Sequence, residues 1–138
     1  METRIQLTAK EALKLQYATT IIRVYSGLEK SADVRELFYI TYHTLLDLCS
    51  HYYYKKSEPF PINHNTELYI QELLELFTKA FDDNFTSLII DTDEYQKKHS
   101  DEIYPHLSNY LRPDLLFLII TLKGLLDKIG LTRQNATL

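Results

Sequence analysis

The sequence predicts an all-α protein, a compact bundle of about five antiparallel helices forming a single domain over residues 1–138. Three observations carry that expectation. Apolar residues recur at steps of three and four along most of the chain, and two capping-box patterns stand where such stripes begin. Only three Gly and four Pro occur in 138 residues. A β-sandwich or barrel needs a turn about every 8–12 residues, and so few turn-formers cannot supply them.

The first helix is expected from Thr8. In Thr8-Ala-Lys-Glu11 the Thr hydroxyl can accept from the Glu11 amide while the Glu carboxylate reaches back to the Thr8 amide. Ala12, Leu15, Ala18, Ile22 and Tyr25 follow at helical spacing, widened by Leu13, Tyr17, Ile21 and Val24. Gly27 is placed to end it in a left-handed cap. Asp33-Val-Arg-Glu36 predicts the start of the second helix, which runs to about Lys56. Val34, Leu37, Phe38, Thr41, Leu45, Leu48, Cys49 and Tyr52 form its apolar face.

Residues 57–65 read as a loop because of their two prolines and polar turn-formers. Asn65 or Thr66 caps a third helix with Leu68, Ile70, Leu73, Leu74, Phe77, Ala80 and Phe81 inside. Asp82-Asp83-Asn84 breaks it. A fourth helix follows from Asn84 with Phe85, Leu88, Ile89, Thr92 and Tyr95, and a short one near 101–111 has Pro105 in its first turns. Pro113 then takes the first position of the last helix, and Gly130 caps its end. That last helix is apolar nearly all round, which marks a central helix or one with a face turned to a partner.

Composition excludes several classes of function. Hydrophobic residues at 45% and charged residues at 25% describe an ordinary globular chain. The single cysteine, Cys49, allows no intrachain disulfide and suits a reducing compartment, and the polar start carries no secretory signal, so the expected location is the cytoplasm. No apolar run approaches the roughly 20 residues that cross a bilayer. With three glycines there is no phosphate-cradling loop, and neither G-x-S-x-G nor H-E-x-x-H occurs.

The net charge of −4 is unevenly spread. Residues 1–56 carry a net +2, whereas 67–102 hold ten acids against three bases. Such a stretch repels phosphate, which argues against a nucleic-acid partner, and attracts a basic protein. The expected partner-binding residues are Asp82, Asp83, Asp91, Asp93, Glu94, Asp101 and Glu102, with Tyr95 and Tyr104 beside them. Tyrosine brings contact area and a hydroxyl at little entropic cost.

The resulting functional expectation is a non-catalytic protein-interaction module. It would be an acidic inhibitor of the immunity or antitoxin kind that masks a basic partner such as a nuclease toxin, with no membrane or cofactor involved. A homo-oligomer is compatible with it.

The alternative is a small helical enzyme, either metal-dependent through His43, Asp47 and His51 or a degenerate HEPN-like ribonuclease. His43, Asp47 and His51 lie on one helical stripe, and with His99 or His106 from elsewhere they would make a metal site. The stripe faces away from the apolar side, where solvated polar residues belong, so no metal is expected. Asp91 to Glu102 has acids at calcium-loop spacing but lacks the glycine that the loop's turn requires, and reads as an acidic surface. Cys49, among Leu45, Leu48 and Tyr52, reads as a small core hydrophobe rather than a nucleophile. Small helical bundles of this size include the HEPN ribonucleases, marked by an Arg followed a few residues later by a His. Arg35 and His43 stand too far apart for that pattern, and the similarity stops at fold class.

Overall fold

The computed structural model describes residues 2–26, 31–55, 58–82 and 107–136. They form four helices and one short hairpin-like pair of strands: β1 (Glu2–Ile5), α1 (Ala9–Ser26), α2 (Ala32–Tyr54), β2 (Phe60–Asn63), α3 (His64–Asp82) and α4 (Leu107–Ala136). Each helix packs against two others, α1 on α2, α2 on α3, α3 on α4 and α4 back on α1. Every one of these neighbours runs antiparallel. Tyr53 near the end of α2 reaches Gln16 near the start of α1. Phe38 in early α2 meets Phe77 in late α3, and Arg133 at the end of α4 pairs with Glu67 at the start of α3. The helices therefore make a closed up-and-down ring around one core.

The expected capping box is present at α1. The Thr8 amide donates to Glu11 Oε1 at 2.8 Å, and the Glu11 amide donates to Thr8 Oγ1 at 3.2 Å. The second box is not. α2 begins one residue earlier than Asp33, with Ser31 at the cap position and no side chain capping it. Asp33 lies inside the first turn, where its carboxylate favours the positive end of the helix dipole instead.

α3 is capped by a residue not expected to do so. Asn63, the last residue of β2, accepts from the Thr66 amide through Oδ1 at 2.8 Å. Asn65 and Thr66 lie within the helix.

The expected loop over 57–65 is corrected most. Phe60–Asn63 pairs antiparallel with Glu2–Ile5, placing Glu2 opposite Asn63 and Ile5 opposite Phe60. Alternation explains it: Ile5 and Ile62 point into the core and are almost fully buried, while Pro61 and Asn63 face out. Pro61 is tolerated because a two-stranded ladder has free edges on both sides.

The last helix is also longer than expected at both ends. It starts at Leu107 and passes through Pro113, so Pro113 is interior rather than first. It continues six residues beyond Gly130 to Ala136. Thr132 donates to the Lys128 carbonyl across Gly130, and Arg133 reaches Glu67 and Thr3, so tertiary contacts carry the helix past the residue that locally would end it. The described residues thus hold four helices, not five. The helix expected from Asn84 falls outside them.

The core follows the predicted stripes. Ala12, Leu15, Ala18, Ile21 and Ile22 of α1 and Phe38, Thr41, Leu45, Leu48 and Cys49 of α2 are buried. Ile70, Leu73 and Phe77 come from α3, and Leu115, Leu118, Leu122, Leu125 and Ile129 from α4. Ile119 and Leu126 are only half-buried at its edge; Leu13 and Tyr17, expected to widen the α1 stripe, and Leu68 and Phe81, expected inside α3, are exposed because the helical period turns them from the core. Among the described residues no helix is long and apolar enough to cross a membrane.

Closure of the ring rests on two contacts between α1 and α4. Lys128 Nζ donates to Glu11 Oε1 at 2.6 Å. One turn and a half further along α1, the Tyr17 hydroxyl donates to Asp114 Oδ1 at 2.9 Å while its ring meets Phe117 edge-on at 4.9 Å. Burial pushes the Glu11 carboxyl up, but the hydrogen bonds from Lys128 and Thr8 outweigh it and hold the group below its ordinary value of 4.5. The hydrogen bond to Asp114, which favours the protonated phenol, pushes the Tyr17 hydroxyl above its ordinary 10.0.

Two measurements test this architecture. Leu122 is fully buried at the centre of α4, so Leu122→Ala should cost about 2–5 kcal/mol in denaturant unfolding. A folded-state carboxyl that titrates below its unfolded counterpart stabilises fully above the unfolded pKa and loses that contribution as pH falls through its folded value. Glu11→Gln should therefore lower the Tm at neutral pH and flatten its decline below about pH 5 in thermal melts followed by circular dichroism.

Candidate interaction surface

The helical period that buries one face of α3 turns Leu68, Gln71, Glu72, Glu75, Lys79 and Asp82 outward together, and all are exposed. Three carboxylates and one ammonium share this face. Glu67, counted with the acids in the sequence, does not. It is buried and paired with Arg133, so it belongs to the interior. Of the nine expected partner-binding residues only Asp82 is described, at the end of α3 and exposed. Asp83, Asp91, Asp93, Glu94, Tyr95, Asp101, Glu102 and Tyr104 lie outside the described residues.

Next to α3, the outward face of α2 is unusually aromatic. Tyr39 is 65% exposed and Tyr54 88%, with Leu46 and Tyr53 also open to solvent. Tyr53 leans on α1 through its hydrogen bond to Gln16, whereas Tyr39, Leu46 and Tyr54 are left exposed among the described residues. These positions fall between His43, Asp47 and Ser50 on the side where polar residues are expected. A large apolar or aromatic residue on the polar side is a signal already present in the helical spacing.

The His43–Asp47–His51 stripe does lie on one helix, yet its members are engaged separately. The His43 ring sits against Tyr39 at 4.3 Å and Tyr42 at 5.2 Å. His51 turns towards β2, where Nε2 lies 2.6 Å from the Glu58 carbonyl and the ring meets Phe60 edge-on at 5.3 Å. A carbonyl only accepts, so Nε2 carries the proton and is not free to ligate. Asp47 is exposed. Among the described residues no three His, Cys, Asp or Glu side chains gather to hold a metal ion. His99 and His106 are outside those residues. Arg35 and His43 are both exposed on α2 but stand eight residues apart, about 12 Å along the axis.

Cys49 is buried between α1 and α2, its Sγ 4.0 Å from the Ala12 carbonyl. Burial pushes its thiol up, outweighing the neighbouring Thr19 hydroxyl, which works the other way. The group has neither the access nor the thiolate character of a nucleophile.

No protein-family model matches this chain, and neither the curated proteins nor the solved structures contain a match to it. What the surface does must therefore be argued from its own chemistry.

The burial of Cys49 generates a direct expectation. A thiol-specific reagent at neutral pH should leave the native protein unmodified and label one thiol per chain once denaturant unfolds it. Rapid labelling of the native state would place Cys49 at the surface.

Proposed function

We propose that this chain is a non-catalytic binding module of the cytoplasm whose outward α2 and α3 faces cover a basic protein partner. In this reading it is an acidic inhibitor of the immunity or antitoxin kind that masks a partner such as a nuclease toxin. The observation that carries the reading is the pairing of two unlike features on adjacent helices. Among the described residues α2 leaves Tyr39, Leu46 and Tyr54 exposed, and the neighbouring α3 turns Glu72, Glu75 and Asp82 outward.

Each feature suits a different part of binding. Exposed aromatic groups supply the desolvated centre that governs dissociation, since Tyr gives large contact area with few rotors to immobilise. The carboxylates accelerate encounter with a positively charged surface and discriminate against other partners. The acids of residues 83–102 join the proposal by charge, adding six carboxylates to the same stretch of chain. A partner that normally grips phosphate would present the complementary field.

The test begins with cross-linking in the native host and identification of the attached protein, followed by surface plasmon resonance with that protein. Glu72→Lys, Glu75→Lys and Asp82→Lys together should slow association at least tenfold and flatten its dependence on salt, with the helical spectrum unchanged. Tyr39→Ala should instead accelerate dissociation by about tenfold or more. An acidic partner, or unaltered association and salt dependence in the triple variant, would show that these faces are merely solvated.

A further inference from the structure

On the other side of the ring, α1 and α4 part to leave an apolar cleft of about 450 Å³ between their two contacts. The Glu11–Lys128 pair closes one end and Tyr17 with Phe117 and Asp114 the other. Leu7, Leu15 and Leu125 line it from the core side, and Ile120, 68% exposed, stands at its rim. The cleft opens where α4 presents its smallest side chains. No atom lies within 4 Å of where a Cβ on Gly124 would stand, although a glycine inside a helix costs about 1 kcal/mol relative to alanine.

Two polar groups in the lining are unused. Thr19, Thr20, Thr44, Thr78 and Thr132 each satisfy their hydroxyl on the carbonyl four residues back. Thr121 does not. Its side chain is only 8% exposed, it lines the cleft, and its hydroxyl has no partner among the described residues. The Thr121 oxygen is not sealed off, since Thr41 Oγ1 is the one buried side-chain oxygen without a partner among the described residues, so it is open to the cleft and can donate to a ligand atom there. Lys14 also lines the cleft and forms no ion pair among the described residues. Glu11, the other charge in the wall, is neutralised by Lys128, so the cleft is left with one uncompensated positive charge.

We propose that this cleft binds a medium-chain alkyl carboxylate, its chain against Leu7, Leu15 and Leu125 and its headgroup on Lys14 and the Thr121 hydroxyl. The volume lies within the roughly 300–1,000 Å³ of small-molecule sites, which are mostly apolar with a few placed polar groups. Phe117 and Ile120 add apolar wall that water solvates poorly. A carboxylate accepts from both an ammonium and a hydroxyl, which neither an alkane nor an amine would do.

Isothermal titration with decanoate, decan-1-ol and phosphatidylcholine vesicles tests the assignment on the full chain. Decanoate should bind once per chain and raise the Tm. Gly124→Leu fills the cleft and should weaken binding more than tenfold while the helical spectrum is retained. Thr121→Val and Lys14→Gln should each weaken decanoate by about tenfold, the loss expected for a charge-assisted hydrogen bond, and weaken the uncharged decan-1-ol several-fold less. Should Gly124→Leu fail to fold, Thr121→Val, nearly equal in volume, carries the same test. The assignment is overturned if the folded chain does not bind decanoate, or if Gly124→Leu binds it like the unaltered protein. It also falls if the alcohol binds as tightly as the acid, or if only the vesicles bind.

Discussion

One carboxylate oxygen does two jobs on which the ring depends. Glu11 Oε1 accepts the Thr8 amide, which is a local contact three residues away, and the Lys128 ammonium, which comes from 117 residues further along the chain. The first sets where α1 begins. The second sets which helix α1 lies against. Antiparallel bundles close only when the last helix returns to the first, and that return has the longest loop to close and so the largest entropic cost. A half-buried ion pair backed by helix-capping hydrogen bonds is better placed to offset that cost than an exposed pair, which contributes little. Tyr17 adds the second point that a helix pair needs if its crossing is to be fixed rather than pivoting.

The same contrast between local and distant contacts explains which elements were legible in the sequence. Thr8-Ala-Lys-Glu11 is a local device and is found as read. So are the buried faces of α2 and of the middle of α4, because burial of a stripe follows helical period whatever the stripe packs against. Asp33-Val-Arg-Glu36 has the same local pattern as the first box, yet α2 starts before it at Ala32, since a capping preference of about 1 kcal/mol yields to packing of Val34, Leu37 and Phe38. Pro113 and Gly130 are local stop signals that α4 overrides, held by buried Leu115 on one side and by Arg133 on Glu67 on the other. The β1–β2 pair had only a short in-and-out alternation as its local signature, masked by two prolines. Four residues with a proline among them become a strand only because Glu2–Ile5 lies alongside.

Surface chemistry was legible to a smaller degree, for a related reason. Counting charge over 67–102 treats every acid as solvent-facing, but Glu67 is turned inward by the α3 period and matched by Arg133. Helical spacing correctly put His43, Asp47 and His51 on one stripe and could not foresee β2, whose Glu58–Phe60 approach claims the His51 ring. Tyr39 and Leu46 were readable as apolar residues on a polar side. The cleft was not readable, because it depends on which residues of α4 meet which of α1, and that register is fixed by Lys128 and Asp114.

The cleft follows from how the ring is closed. At one end of the contact between α1 and α4 the Phe117 and Tyr17 rings meet edge-on, and at the other the long Lys128 and Glu11 side chains pair. Between them α4 offers Thr121 and Gly124, which are too small to reach α1. Ordinarily a gap of this kind shrinks as neighbouring helices settle together, which recovers dispersion contacts. Here the helices are pinned on both sides of it, so closing the gap would break an ion pair or a ring contact. The space therefore persists as a property of the two rungs, while α2 and α3, which contribute nothing to its lining, are left to present the aromatic and acidic faces. Ring closure and the separation of the two surfaces are consequences of the same contacts.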